Sequence, residues 1–181
     1  KSSITILLLT FILTLIVDFL FGKKILEITD KFWVKTEFYG KIKRIDHDVY
    51  HHGLKPNVKM KNVKGFKGYY TFCTDNHGFR YKCNSDQRGK KFDYAFMGDS
   101  FTEGSSVSYE DSFVGIFENI SKKKVVNLGV VSYAPKIYLS KINYYLSKGY
   151  KFDHVIIPID ISDLYDDNVS YRLDKNYVVK D

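Results

Sequence analysis

The residues best suited to chemistry lie in Phe96-Met97-Gly98-Asp99-Ser100-Phe101-Thr102-Glu103-Gly104. An apolar stretch, Tyr94 to Met97, stops there on a glycine, an aspartate and a serine. A serine at the carboxyl end of a buried strand stands where α/β folds place a ligand or a nucleophile. The glycines beside it permit a tight turn and close approach by a substrate. Gly-Asp-Ser is also ordinary turn chemistry, so its weight depends on the elements around it.

Those elements form a repeating strand–helix pattern. Phe92 to Met97 is expected as a first strand, with helix-forming sequence resuming some ten residues later. Glu110 to Ile120 places Phe113, Ile116, Phe117 and Ile120 at helical spacing, after acidic residues that suit a helix start. Lys124 to Val130 reads as a second short strand ending on Gly129. Pro135 suits a first helical turn, and Ile137, Tyr138, Ile142, Tyr145 and Leu146 form the expected buried stripe of the helix it opens. Asp153 to Ile159 is a third strand, followed by the acidic run Asp160, Asp163, Asp166 and Asp167. Strands alternating with helices of this length predict an α/β fold with a parallel sheet. Ser100, Gly129 and Asp160 would then converge on one sheet edge.

At these residues the chain resembles the SGNH (GDSL-like) hydrolase family. Gly98-Asp99-Ser100 matches its first block and Asn127-Leu128-Gly129 its second. The resemblance covers roughly the second half of the chain. It implies a three-layer α/β/α, flavodoxin-like parallel sheet and a serine esterase or O-acyltransferase with Ser100 as nucleophile. Backbone N–H groups of Ser100 and Gly129 would form an oxyanion hole, with Thr102 and Glu103 shaping the first turn.

Two positions depart from the family pattern. Its third block is Gly-x-Asn-Asp, and Ile159-Asp160 with Asp163 stands there instead. Ionised Asp160 accepts hydrogen bonds and cannot stabilise an oxyanion. It is therefore expected either to be protonated, or to hold the loop through backbone N–H groups, or to leave the third donor to another group. The family also carries a C-terminal Asp-x-x-His whose histidine activates the serine, and no such block follows the third strand. His154, at the start of that strand, would lie at the opposite sheet edge. The expectation is a fragment cut at both ends, with an incomplete sheet and no activity as it stands.

The remaining histidines offer less. Adjacent His51 and His52 raise metal binding, yet zinc needs three or four ligands, and no His-x-x-x-His or Cys-x-x-Cys accompanies them. On an extended segment their rings should point to opposite sides, which leaves a structural loop or a lining of the cleft. His77 reads as a solvated turn residue. No metal and no organic cofactor are expected.

Ile4 to Gly22 carries one charge, Asp18, over a length that can cross a bilayer. No Ala-x-Ala pattern ends it, so an uncleaved anchor over residues 1–24 is favoured over a signal peptide. Lys23, Lys24, Lys31 and Lys35 beyond it argue for a cytoplasmic bulk. A disulfide between Cys73 and Cys83, which flank the Asn76-His77-Gly78 turn, would argue for an oxidising compartment, with two buried free thiols as the alternative. Extracytoplasmic placement is favoured, because the anchored proteins that this chain resembles act on surface polymers.

Charge divides the chain. Residues 23–91 hold 17 Lys or Arg against 7 Asp or Glu, whereas residues 92–181 hold 10 against 13. The basic part is expected as a β-rich connector (25–91) ahead of the α/β part (92–181). It would meet anionic lipid or acidic polysaccharide, or serve as a solvated surface. Nucleic acid is set aside because of the anchor. The function expected is ester hydrolysis or acyl transfer on an acylated carbohydrate. The alternative is a glycan-binding accessory protein without catalysis, and metal-assisted phosphate-ester chemistry at the carboxylates is a third option.

Overall fold

The computed structural model describes residues 2–65, 68–85, 87 and 89–180, with the side chains of 2, 23 and 25–41 outside that set. Lys23, Lys31 and Lys35, used above to orient the anchor, thus lie outside the described side chains. Two units are present, Lys1–Ile42 and Lys43–Asp181.

The first unit is helical. Helix α1 (Ser2–Lys43) runs past the expected anchor and through residues 25–43, the first part of the span expected as a connector. The stretch holds no proline to stop a helix that the apolar span has already started, and elongation costs far less than nucleation. Within it, Ser3–Gly22 has a mean hydropathy of 2.7 and is long and apolar enough to cross a membrane. Thr10 and Thr14 donate their hydroxyls to the carbonyls of Ile6 and Thr10, both at 2.9 Å, which keeps them satisfied without water.

The second unit begins with two antiparallel pairs, β1 (Arg44–His47) with β2 (His51–Leu54) and β3 (Lys59–Gly65) with β4 (Gly68–Cys73). A bulge between Met60 and Val63 turns both inward while Lys59, Lys61 and Lys64 face out. A disulfide joins Cys73 to Cys83. Beside it Arg80 is fully buried, stacked 4.3 Å over Phe72 and donating to the carbonyls of Cys73 and Val107, both at 2.9 Å.

The rest is mixed α/β around a parallel three-stranded sheet in the order β6 (Val125–Asn127), β5 (Lys91–Phe96), β7 (Lys151–Ile156). Phe96, Tyr109, Val114 and Val125 pack as a core, with Tyr94 and Phe117 against it. Helix resumes earlier than expected, in the single turn α2 (Ser100–Glu103), because the Asp99 side chain caps it. A 3-10 turn at Tyr109–Asp111 precedes α3 (Phe113–Ser121), capped by Ser112. The expected stripe of α3 is not its buried face: Val114 and Gly115 are buried, and Ile120 is 76% exposed. Gly115 sets that face, since a Cβ there would lie 1.9 Å from the Tyr109 carbonyl oxygen.

Helix α4 (Pro135–Ser147) buries Ile137, Tyr138 and Tyr145 as expected, but also Ser140 and Lys141, while Leu146 stays exposed. The acidic run folds as α5 (Ile161–Val169), with Ile161, Leu164, Tyr165 and Val169 turned outward. Strands β8 (Arg172–Leu173) and β9 (Val179–Lys180) close the chain as a small antiparallel pair, and Val179 bridges to Tyr50.

Candidate active site

Three loops leave the carboxyl ends of β5, β6 and β7, and the sequence-predicted residues divide among them. In the first loop Asp99 caps α2, its Oδ1 accepting from the Phe101 N–H at 3.0 Å. Its Oδ2 accepts from the Ser100 hydroxyl at 3.1 Å. Ser100 is half-buried at the first position of α2, where backbone N–H groups have no intrahelical partner. Thr102 and Glu103 behind it are fully buried.

Thr102 explains two glycines. A Cβ on Gly98 would lie 2.1 Å from Thr102 Oγ1, and one on Gly129 would lie 2.7 Å from Thr102 Cβ. The first and second loops therefore close on this one side chain. Asn127 locks them further, donating its amide to the Thr102 carbonyl at 2.6 Å.

The second loop, Leu128 to Tyr133, is held at nearly every backbone group. Its N–H donors reach Phe96, Asn127 Oδ1, Gly98, Glu103 Oε2 and Val130 from Leu128, Gly129, Val130, Val131 and Tyr133 respectively. Only the Ser132 N–H has no acceptor among the described residues. The Gly129 N–H, assigned above to the oxyanion hole, is engaged by the Asn127 side chain at 3.0 Å. Ser132 is exposed, with φ of 68°, a left-handed conformation that a serine adopts only when its surroundings impose it. Those surroundings are Tyr171, whose hydroxyl donates to the Ser132 carbonyl at 2.7 Å, and the Val131 contacts described below.

In the third loop Asp160 is the N-cap of α5. Its Oδ1 accepts from the Ser162 hydroxyl at 2.5 Å and from the N–H groups of Ser162 and Asp163 at 2.7 and 3.3 Å. Asp163 returns the contact, accepting from the Asp160 N–H at 3.1 Å. Of the three roles considered for Asp160, loop-holding through backbone N–H groups is the one observed. The Ser162 hydroxyl, helped by these N–H groups, lowers the Asp160 carboxyl. Burial raises that of Asp163, and the charges of Asp99 and Asp160 add to the rise. Ligand oxygens of Asp99, Asp160 and Asp163 lie within 4.8 Å of one another, a spacing a divalent cation tolerates. Three of the six oxygens, Asp99 Oδ1, Asp160 Oδ1 and Asp163 Oδ2, are already used in capping two helices.

Two of the histidines depart from expectation. His51 and His52 do not diverge: their Nδ1 atoms lie 2.7 Å apart, because φ of 69° at His51 breaks the extended alternation. His52 is buried, with Nε2 3.1 Å from the Val131 carbonyl oxygen. Burial above all pushes its pKa down to about 4. His77 faces the Tyr150 hydroxyl at 3.2 Å. His154 is exposed and pairs in register with Tyr94, well before Ser100 along the strand.

Sequence reasoning missed two lysines beneath the site, Lys43 and Lys141, and gave Glu103 only a turn-shaping role. Glu103 pairs with Lys43 through one oxygen and accepts from the Val131 N–H at 2.9 Å through the other. Burial alone would raise the Glu103 carboxyl, but the Lys43 ammonium outweighs it and holds the group below its usual range. Lys141 is buried, donating to the Leu128 carbonyl at 2.8 Å and the Tyr133 hydroxyl at 2.9 Å. Burial pushes its pKa down to about 7. The signal for Lys141 was present: it sits four residues after Ile137 and four before Tyr145, on the buried stripe itself.

No family model matches this chain, and no curated protein matches it.

Proposed function

We propose that this chain is a membrane-anchored serine esterase or O-acyltransferase of the SGNH type, acting on an acylated carbohydrate or cell-surface polymer. The observation that carries the reading is the position of Ser100. It opens a helix directly at the carboxyl end of the central parallel strand, flanked by the ends of both neighbouring strands. Ligands of open α/β sheets bind at that edge, where the strand order reverses. The spatial order, second strand, first, third, agrees with the start of a flavodoxin-like sheet.

In this reading Ser100 Oγ attacks the ester carbonyl carbon as its proton passes to a base, the alkoxide departs with that proton, and water or an acceptor hydroxyl then takes the acyl group from Ser100. The N–H groups of Ser100 and Ser132 meet the charge on the carbonyl oxygen, so Ser132 replaces Gly129 as donor. The hydroxyl already faces the Asp99 carboxylate, and the stronger base is the histidine that the resemblance implies. The apolar length of α1 supports anchoring. The Cys73–Cys83 disulfide supports an extracytoplasmic site, since such bonds persist in oxidising compartments.

A fluorophosphonate probe on the full chain tests the serine. Covalent labelling that disappears in Ser100→Ala supports the reading, and folded protein that takes no label removes it. A glycan-binding role is the second reading, favoured by one observation: among the described residues no imidazole is hydrogen-bonded to Ser100. Unlabelled protein that still retains an acidic or acetylated polysaccharide in a pull-down would establish it.

A further inference from the structure

The Val131–Ser132 peptide unit has its carbonyl and its N–H in very different situations. The carbonyl is taken by His52 Nε2 at 3.1 Å. The N–H, which belongs to Ser132, has no acceptor among the described residues and lies at the surface. The peptide is trans, so the two groups point in opposite directions across one rigid plane. Fixing the carbonyl therefore fixes the direction of the free N–H.

The atom types determine which way the hydrogen bonds run. A carbonyl oxygen only accepts, so His52 Nε2 carries the proton. His52 is neutral well above pH 4, which leaves Nδ1 with a lone pair. The donor to that lone pair is His51 Nδ1–H, at 2.7 Å. Burial of His52 and its ring contact with Tyr133, centroids 5.0 Å apart, hold the imidazole plane. The Tyr133 hydroxyl fixes the His52 backbone as well, donating to its carbonyl at 2.5 Å. From the other side Glu103 grips the preceding N–H, that of Val131.

We infer that His51 and His52 form a hydrogen-bond relay that orients and polarises the Ser132 N–H as an anion donor, on the loop that the Val130 N–H ties to the Gly98 carbonyl of the Ser100 loop at 3.1 Å. His52 donates to the Val131 carbonyl, which withdraws electron density from the peptide and makes its N–H a better donor. His51 donates to His52 and strengthens that step. His52 is thus a positioning residue, acting through the peptide and touching no substrate. The relay explains why two adjacent histidines, one in a left-handed conformation, face each other under a loop far from them in sequence. Its catalytic consequence rests on the reading of Ser132 N–H as an oxyanion donor; the relay itself does not.

The test uses the full chain in detergent micelles with His52→Leu, His52→Gln and His51→Asn, the last keeping a residue that tolerates positive φ. The first readout is the amide 15N and 1H resonance of Ser132, and the second is the rate of fluorophosphonate labelling at Ser100. His52→Leu should move the Ser132 amide and slow labelling about tenfold, below the full loss of an oxyanion donor. His52→Gln, whose side-chain N–H can replace Nε2–H, should restore both, and His51→Asn should give a smaller shift of the same sign. A Ser132 amide unmoved in all three variants, or moved equally by Leu and Gln, overturns the relay. An amide that moves and recovers while labelling stays constant, or is absent throughout, upholds the relay and removes the oxyanion role of Ser132.

Discussion

The Lys43 ammonium and the Glu103 carboxylate form a buried ion pair in which the glutamate side chain has no solvent exposure. Lys43 ends α1, and Glu103 ends the helical turn that carries Ser100. Removing either partner leaves a charge stranded in the core, which costs about 3–5 kcal/mol. Urea unfolding should show that loss for Lys43→Met and for Glu103→Leu. The double variant should lose clearly less than the two added together.

His52 makes stability pH-dependent. Its folded pKa is about 4, against an ordinary value of 6.5. Between those values the unfolded chain binds a proton that the folded chain refuses. The contribution is complete above pH 6.5, declines as pH falls, and is gone near pH 4, at about 3 kcal/mol in all. Arg44, His51 and Lys141 add repulsion to any charge there. Denaturation midpoints followed across this window should fall in the parent and flatten in His52→Gln.

Lys141 acts in the opposite half of the scale. With a folded pKa of about 7, it is neutral in the fold where the unfolded lysine remains charged. Stability should therefore rise as pH climbs from 7 to about 9.5, and Lys141→Met should abolish the rise. Above pH 10 the buried tyrosines reverse the trend. Burial raises Tyr50 to about 12 and lifts Tyr133 well above its ordinary value, so the unfolded chain ionises first.

Gly129→Ala separates steric need from turn chemistry. The new Cβ would meet Thr102 Cβ and Cγ2 at 2.7 Å and the Glu103 nitrogen at 2.9 Å. About 1–3 kcal/mol should be lost, as for overpacked cores, together with labelling at Ser100 if the loops must touch. At Gly149 nothing lies within 4 Å, so alanine there should cost only the strain of a φ of 82°, about 1–2 kcal/mol.

Reduction of Cys73–Cys83 should lower stability by about 3 kcal/mol, the value for a loop of this size. Thermal melting with and without dithiothreitol reads it directly, and Cys73→Ser with Cys83→Ser should match the reduced parent.

The parallel strands and α4 could be read from sequence because apolar runs and a proline-led stripe report local periodicity. The start of α2 was hidden by its brevity, since a single turn capped by Asp99 carries no periodic signal. Asp160 was legible as an unusual residue, though its capping of α5 depended on Ser162 and Asp163 following it. Ser132 was not legible, and for the adjacent His51 and His52 the sequence offered only a structural loop or a place lining the cleft. Their roles come from peptide orientation and from a positive φ at a non-glycine residue, neither of which leaves a pattern in composition or spacing. The pairing of Glu103 with Lys43 was equally silent, the two being 60 residues apart.

The outward row of Ile161, Leu164, Tyr165 and Val169 on α5 has a practical side. On β7, an edge strand of the parallel sheet, Val155 is also in contact with water, as is Ile157 just beyond it. Exposed apolar helix faces and open strand edges are both nuclei for disordered association. This row and the exposed apolar span of α1 together bear on the colloidal behaviour of the chain. Raising salt, which screens its net charge of +7, should increase turbidity, whereas Leu164→Lys should keep concentrated samples clear.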